Sequence, residues 1–208
     1  MMAGSRLWIA PRPLVLASGS LTRRDMLMAA GVPVETVKPA VDERAVEGPL
    51  LAAGESPARI ALALAVAKAS AVSALHPDRL VLGADQTLAC AGEAFHKPAD
   101  RAAAARQIAA LAGRDHELHS AFALVRGGEL LAEGHQTARL TMRPLTPAFI
   151  EAYLDTVGDA AFSSVGGYQI EGLGAQLFER IDGDHFTILG LPLLPVLAAL
   201  RDLSVLAR

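Results

Sequence analysis

The chain has 208 residues, 52% of them hydrophobic and 20% charged, with a formal net charge of -3. That length supports one sizeable core, and that composition excludes a disordered or low-complexity protein. A mildly acidic chain has no broad basic field for duplex nucleic acid or an anionic membrane, although a few focused cations can still hold a small anion.

A single cysteine, Cys90, excludes an intramolecular disulfide. A lone cysteine is more often a small buried hydrophobe than a reactive group. Residues 1–13 mix polar and apolar types, carry Arg6, Arg12, Pro11 and Pro13, and lack the apolar centre of a secretory signal. The apolar runs read as interrupted before they could span a bilayer. The expectation is a soluble, cytoplasmic protein with an N-terminal extension over 1–13 and one domain over 14–205.

In chain order, Leu14-Val15-Leu16-Ala17 reads as a strand ending in Ser18-Gly19-Ser20. Arg23 to Ala30 predicts a helix stopped by Gly31 and Pro33, and Val34 to Val37 a second strand. Alanine-rich Pro57 to Leu75 predicts a long helix, with Ser56 as its cap and Pro57 in its first turn. Leu80 to Ala84 reads as a buried strand that ends at Asp85, and Arg101 to Leu111 as a helix closed by Gly113. Glu117 to Val125 and Leu130 to Met142 read as strands joined at Arg126-Gly127-Gly128, a hairpin signal. Helices over Pro147 to Thr156 and Leu193 to Leu203 complete the pattern. Early strand–helix alternation followed by a hairpin implies an α/β fold whose mixed sheet is flanked by helices. The Gly/Ser-rich stretch Gly158 to Gly174 is the longest irregular segment, and such segments often carry function.

Four places set residues against the structural rules. In Ser18-Gly19-Ser20-Leu21-Thr22-Arg23-Arg24 a small-residue loop leads from a strand into a helix, where free N–H groups and the positive end of the macrodipole suit phosphate. Arg23 and Arg24 in the first turn oppose that dipole, a conflict an anion removes. The alternative is an ordinary capped helix with two solvated arginines. Lys68 falls on the apolar face marked by Ile60, Leu64, Ala67, Ala71 and Leu75, so it either snorkels to the rim or meets a negative group. Asp85 follows a buried strand, where sheets open onto clefts; it is a cation ligand, a water-orienting group or a simple turn former. In His96-Lys97-Pro98 a lysine is held beside a proline, which alone signals a turn.

Other patterns fail. No phosphate-binding G-x-x-x-x-G-K-[ST] loop exists, and Gly172-Leu173-Gly174 lacks the third glycine of a dinucleotide fingerprint. His116 and His119 stand three apart in a segment that reads as a strand, which puts them on opposite faces and argues against a shared zinc.

Taken together, these pieces resemble the Maf family of nucleoside triphosphate pyrophosphatases. The resemblance rests on Leu16-Ala17-Ser18-Gly19-Ser20 with Arg23-Arg24, Val41-Asp42-Glu43, Lys68, Gly83-Ala84-Asp85-Gln86, Lys97-Pro98, Glu171-Gly172-Leu173-Gly174 and Gly190-Leu191-Pro192-Leu193. It implies two lobes around a nucleotide cleft and hydrolysis between the α and β phosphates with Mg²⁺ or Mn²⁺. Carried over, Asp85 is the general base or water-orienting group, and Glu43 helps Asp85 hold the cation. Ser18, Ser20, Arg23, Arg24, Lys68 and Lys97 neutralise the triphosphate.

The departures from the family pattern concern specificity. Leu21 replaces a common proline. Many members, similar to enzymes acting on dTTP and UTP, have arginine at Thr22, threonine at Gln86 and glutamine at Glu171. Gln86 and Glu171 instead resemble the 7-methyl-GTP branch, which usually has tryptophan where this chain has Thr22. The rival readings are a pyrimidine triphosphate pyrophosphatase, a nucleotide-sensing regulator of cell division without turnover, and a bare structural domain. The expected partner is a small nucleotide, with neither nucleic acid nor membrane, and a homodimer is the default assembly.

Overall fold

The computed structural model describes residues 7–208. The apolar run at the start becomes β1 (Leu14–Ala17), buried along its whole length. It pairs in parallel with β2 (Val34–Thr36) on one side and β3 (Val81–Cys90) on the other. β4 (Glu93–Phe95) folds back antiparallel on the far half of β3. On the other edge of β3, the long hairpin of β5 (Asp115–Arg126) and β6 (Glu129–Met142) turns at Gly127-Gly128 and continues the sheet antiparallel to β7 (Phe178–Asp182). The result is a mixed seven-stranded sheet of order β2-β1-β3-β5-β6-β7, with β4 beside β3.

Helices cover both faces of this sheet, as the alternation predicts. They are α1 (Leu21–Ala29), α2 (Glu43–Ala52), α3 (Pro57–Leu75), α4 (Arg101–Leu111), α5 (Pro147–Val157), the single-turn α6 (His185–Ile188) and α7 (Leu193–Asp202). Ser56 caps α3 by accepting from the Arg59 N–H, as its position implies. The alternation of strand side chains sorts the core into three clusters. Val15, Val81, Ala121 and Ala123 pack against Ala61, Ala65, Ala69 and Val72 of α3. On the opposite face, Leu16, Leu82, Ala84 and Phe122 meet Leu27 of α1 and Val196 and Leu200 of α7. Further along that same face, Leu88, Leu118 and Leu140 meet Ile108 of α4 and Leu154 of α5.

Several expectations change. Asp85 does not end its strand. β3 continues to Cys90 because β4 and β5 supply hydrogen bonds after β1 stops at the Ala17–Gly83 pair. Asp85 therefore lies two residues beyond the parallel part of the sheet. α2, β4, α6 and β7 had no sequence signal. By length and composition α3 could cross a membrane, with 19 residues and a mean hydropathy of 1.6, contrary to the sequence reading; half of that window is buried within the protein. Residues 7–9 dock on the domain, where the Ile9 N–H donates to the Val205 carbonyl at 3.1 Å and the Ala207 N–H to the Leu7 carbonyl at 2.8 Å.

Candidate functional site

The loop between β1 and α1 organises itself around two hydroxyls. Ser18 Oγ accepts from the Ser20 N–H at 3.2 Å, and Ser20 caps α1 by accepting from the Arg23 N–H at 3.3 Å. The Arg23 side chain turns inward. Its Nε donates to the Gly190 carbonyl at 2.8 Å, and its Nη1 to the Ala84 carbonyl at 2.9 Å and to Ser18 Oγ at 3.2 Å. Burial works against the Arg23 charge, while Asp85 and then Glu43 support it. Arg24 differs: it pairs with its neighbour Asp25 at 2.7 Å on the surface.

Lys68 reaches its position because α3 presses directly onto β3. A Cβ at Gly83 would lie 2.1 Å from the Ala65 carbonyl oxygen and 2.7 Å from the Ala69 nitrogen, so only glycine allows that approach. The Lys68 ammonium does not snorkel. It lies 2.5 Å from Asp85 Oδ1 and 2.8 Å from Glu43 Oε1, with Lys68 7% and Asp85 8% exposed. Glu43 comes from the first turn of α2, where the dipole favours an acid, and Asp42 caps that turn by accepting from the Arg44 and Ala45 N–H groups. Burial pushes the Asp85 carboxyl above the usual carboxylate range; Lys68 and Arg23 oppose that rise.

Lys97 completes the charge cluster from the β4–α4 connection. Gln107 is buried on α4 and donates to the His96 carbonyl at 3.0 Å, which fixes the backbone just before Lys97. Desolvation and then the Arg23 and Lys68 charges lower the Lys97 ammonium. It has no hydrogen bond or ion pair among the described residues. Asp85 Oδ2 likewise receives no hydrogen bond among them. The cluster thus offers a free cation and a free carboxylate oxygen beside a helix start.

The sequence-predicted residues divide accordingly. Ser18, Ser20, Arg23, Glu43, Lys68 and Asp85 are brought together, with Lys97 in electrostatic range. No side-chain hydrogen bond or ion pair among the described residues joins Thr22, Arg24 or Glu171 to them. Glu171 is exposed on the segment between two 3₁₀ turns, Gly158–Phe162 and Leu173–Leu177. Gln86 directs its Nε2 into the protein, to Ser120 Oγ and to the Thr187 and Ile188 carbonyls at 3.0 to 3.1 Å, which leaves Oε1. Two surface depressions, one lined by Tyr153, Gln169 and Leu173 and one by Asp100, Arg101 and Phe162, contain none of the cluster.

Sequence reasoning missed the carbonyls of Ala84 and Gly190, since a backbone acceptor leaves no mark on residue type. His116 and His119 lie on opposite faces of β5, as expected, His116 bonded to Tyr168 and His119 to Thr137. No three potential ligands cluster among the described residues. A hard divalent cation suits the two carboxylates that are present, because Mg²⁺ commonly takes one or two carboxylates and fills its shell with phosphate oxygens and water.

The site thus sets an arginine at a loop-to-helix start and a lysine bridged between two carboxylates, and residues 13–203 match the Maf-like protein family. The chain belongs to that family. A nucleoside triphosphate pyrophosphatase of Rhodopseudomonas palustris is 59% identical over 97% of this chain and 98% of its own length. A 7-methyl-GTP pyrophosphatase of Mesorhizobium japonicum is 55% identical over 93% of this chain and 97% of its own length. Another of that name, from Rhizobium meliloti, is 51% identical over the same shares. Ser18, Ser20, Arg23, Glu43, Lys68 and Asp85 of the cluster all stand within the motifs that carry the resemblance.

Proposed function

We propose that this Maf-like chain is a nucleoside triphosphate pyrophosphatase that hydrolyses the bond between the α and β phosphates. The carrying observation is Lys68, buried and shared between Asp85 and Glu43. Removing two or three charges from water costs free energy that a hydrophobic replacement avoids, so such a cluster is weakly justified by stability alone. It is well justified by catalysis, where fixed charges act on a reacting phosphate.

In this reading the N–H groups at the start of α1, with Ser18, Ser20 and Arg23, receive the polyphosphate. Lys68 and Lys97 neutralise its charge. Asp85 Oδ2 accepts a proton from water as the water oxygen bonds to phosphorus. The bond to the bridging oxygen breaks, pyrophosphate leaves, and Asp85 returns the proton to solvent. Burial suits Asp85 to this task by raising its affinity for a proton. Glu43 and Asp85 would hold a Mg²⁺ or Mn²⁺ ion, which supplies further charge neutralisation when bound.

The preferred substrate in this proposal is 7-methyl-GTP or a similar cationic purine nucleotide. Glu171 supports it, since an exposed carboxylate favours a positively charged base where glutamine does not. So do the names of the relatives at 55% and 51% identity. Thr22 supplies no aromatic stacking surface, so the preference is expected to be shallow. A panel of 7-methyl-GTP, GTP, dTTP and UTP, with products resolved by ³¹P NMR, tests the proposal. Pyrophosphate as the product and 7-methyl-GTP as the best substrate are expected. Stepwise release of orthophosphate overturns the reaction, and a preference for dTTP or UTP overturns the base assignment.

A further inference from the structure

One transverse row of the sheet is polar where its neighbours are not. Gln86 of β3 pairs in register with Ser120 of β5, and Ser120 with Gln136 of β6. On one side lies Ala84 with Phe122, in the core under α1 and α7; on the other lie Leu88, Leu118 and Ala138, in the core under α4 and α5. Apolar side chains in the middle row would fuse these two cores, yet Ser120 is fully buried there and meets the fully buried Thr187 of α6.

The network converges on one atom. The Thr187 carbonyl accepts from Gln86 Nε2 at 3.1 Å, from Ser120 Oγ at 2.7 Å and from the Gly190 N–H at 3.1 Å. Gln86 also donates to Ser120 Oγ and to the Ile188 carbonyl, and Thr187 Oγ1 lies 3.1 Å from both Gln136 Oε1 and Asp184 Oδ2. Gly190 has a φ of +98°, a conformation suited to glycine, and its carbonyl takes the Arg23 Nε hydrogen. Arg23 is therefore oriented by Ser18, Ala84 and Gly190, and only its Nη2 lacks a hydrogen bond among the described residues.

We propose that Gln86, Ser120 and Gln136, with Thr187, are positioning residues: they fix the Gly190 carbonyl, which aims Arg23 Nη2 at the substrate's phosphates. This rests on the reading above, that Arg23 binds phosphate. It assigns Gln86 a task separate from the nucleobase. A dense network of hydrogen bonds holds one geometry where an apolar seam permits several, and phosphate recognition by a guanidinium depends on that geometry.

The test is a double-mutant cycle on inorganic pyrophosphate binding, measured calorimetrically with Mg²⁺ present. Arg23→Lys, Gln86→Met and the pair are compared, with Ser120→Ala as a milder break of the network should Gln86→Met fold poorly. Each single change is expected to weaken pyrophosphate binding about 10-fold, with the double variant no weaker than Arg23→Lys alone. KM for every triphosphate should rise together, leaving the ratio between 7-methyl-GTP and dTTP unchanged. Additive losses, or a changed nucleotide ratio with unchanged pyrophosphate binding, overturn the proposal alone. Normal pyrophosphate binding by Arg23→Lys overturns the phosphate-binding reading and the proposal with it.

Discussion

Asp85 and Gln86 follow one another in β3 and leave opposite faces of the sheet, Asp85 toward Lys68 on α3 and Gln86 toward the carbonyls of α6. Ala84, one residue earlier, gives its carbonyl to Arg23. Three consecutive residues thus connect both faces of the sheet to one charge cluster, just beyond the point where parallel pairing with β1 stops.

Lys68→Met should show how much Asp85 depends on its partner. Without the ammonium, only Arg23 offsets the burial of the Asp85 carboxyl and the charge of Glu43, and the Asp85 pKa rises further. A carboxyl raised in the folded state favours folding at low pH and disfavours it as pH climbs through the raised value. Lys68→Met should therefore cost about 3 kcal/mol in urea unfolding at neutral pH and clearly less near pH 4. A cost that does not change with pH would contradict the buried pairing.

Gly83→Ala tests the contact between α3 and β3. The added methyl meets the Ala65 carbonyl and the Ala69 nitrogen, backbone atoms that cannot rotate away. The helix must shift, carrying Lys68 from Asp85. The expected result is a loss of about 1–3 kcal/mol in stability with a fall in turnover beyond what unfolding explains. Wild-type stability in this variant would show that α3 packs elsewhere.

His116 predicts an acid-sensitive stability. Burial drives its imidazole down to about 4, and Nε2 lies 2.7 Å from the Tyr168 hydroxyl. The unfolded chain then takes up the proton more readily than the folded one. The stability His116 confers is complete above its ordinary value of 6.5 and is lost as pH falls from there toward about 4. That loss is on the order of 3 kcal/mol. His116→Gln should flatten much of the fall in thermal midpoint between pH 7 and pH 4, with a remainder from His119, which burial also lowers. An unchanged slope would place the acid sensitivity elsewhere.

The sequence foretold the elements with an apolar pattern and missed those without one. α3 and α4 match their predicted limits, because alanine- and leucine-rich runs end in clear caps. α2 has no fully buried residue and contains Pro49, so no apolar stripe marked it, although it delivers Glu43. β7 is almost wholly exposed and is held mainly by its pairing with β6. Among the site residues, Lys68 and Asp85 were legible as charges in apolar surroundings. Their mutual distance was not, because it depends on the closeness of α3 that Gly83 permits. Gln86 drew notice through the resemblance, as a specificity position, whereas its bonds to Thr187 and Ile188 follow from a chain return about a hundred residues later.

The most direct measurement is kcat for pyrophosphate release by Asp85→Asn at saturating triphosphate and Mg²⁺, with the thermal midpoint taken on the same sample. Asparagine keeps the shape of the side chain and still offers an oxygen to Lys68, but it cannot take a proton from water. The midpoint is expected near that of the wild type and kcat at least about 100-fold lower. A folded Asp85→Asn enzyme that turns over within a few-fold of wild type would contradict the role of Asp85 as proton acceptor.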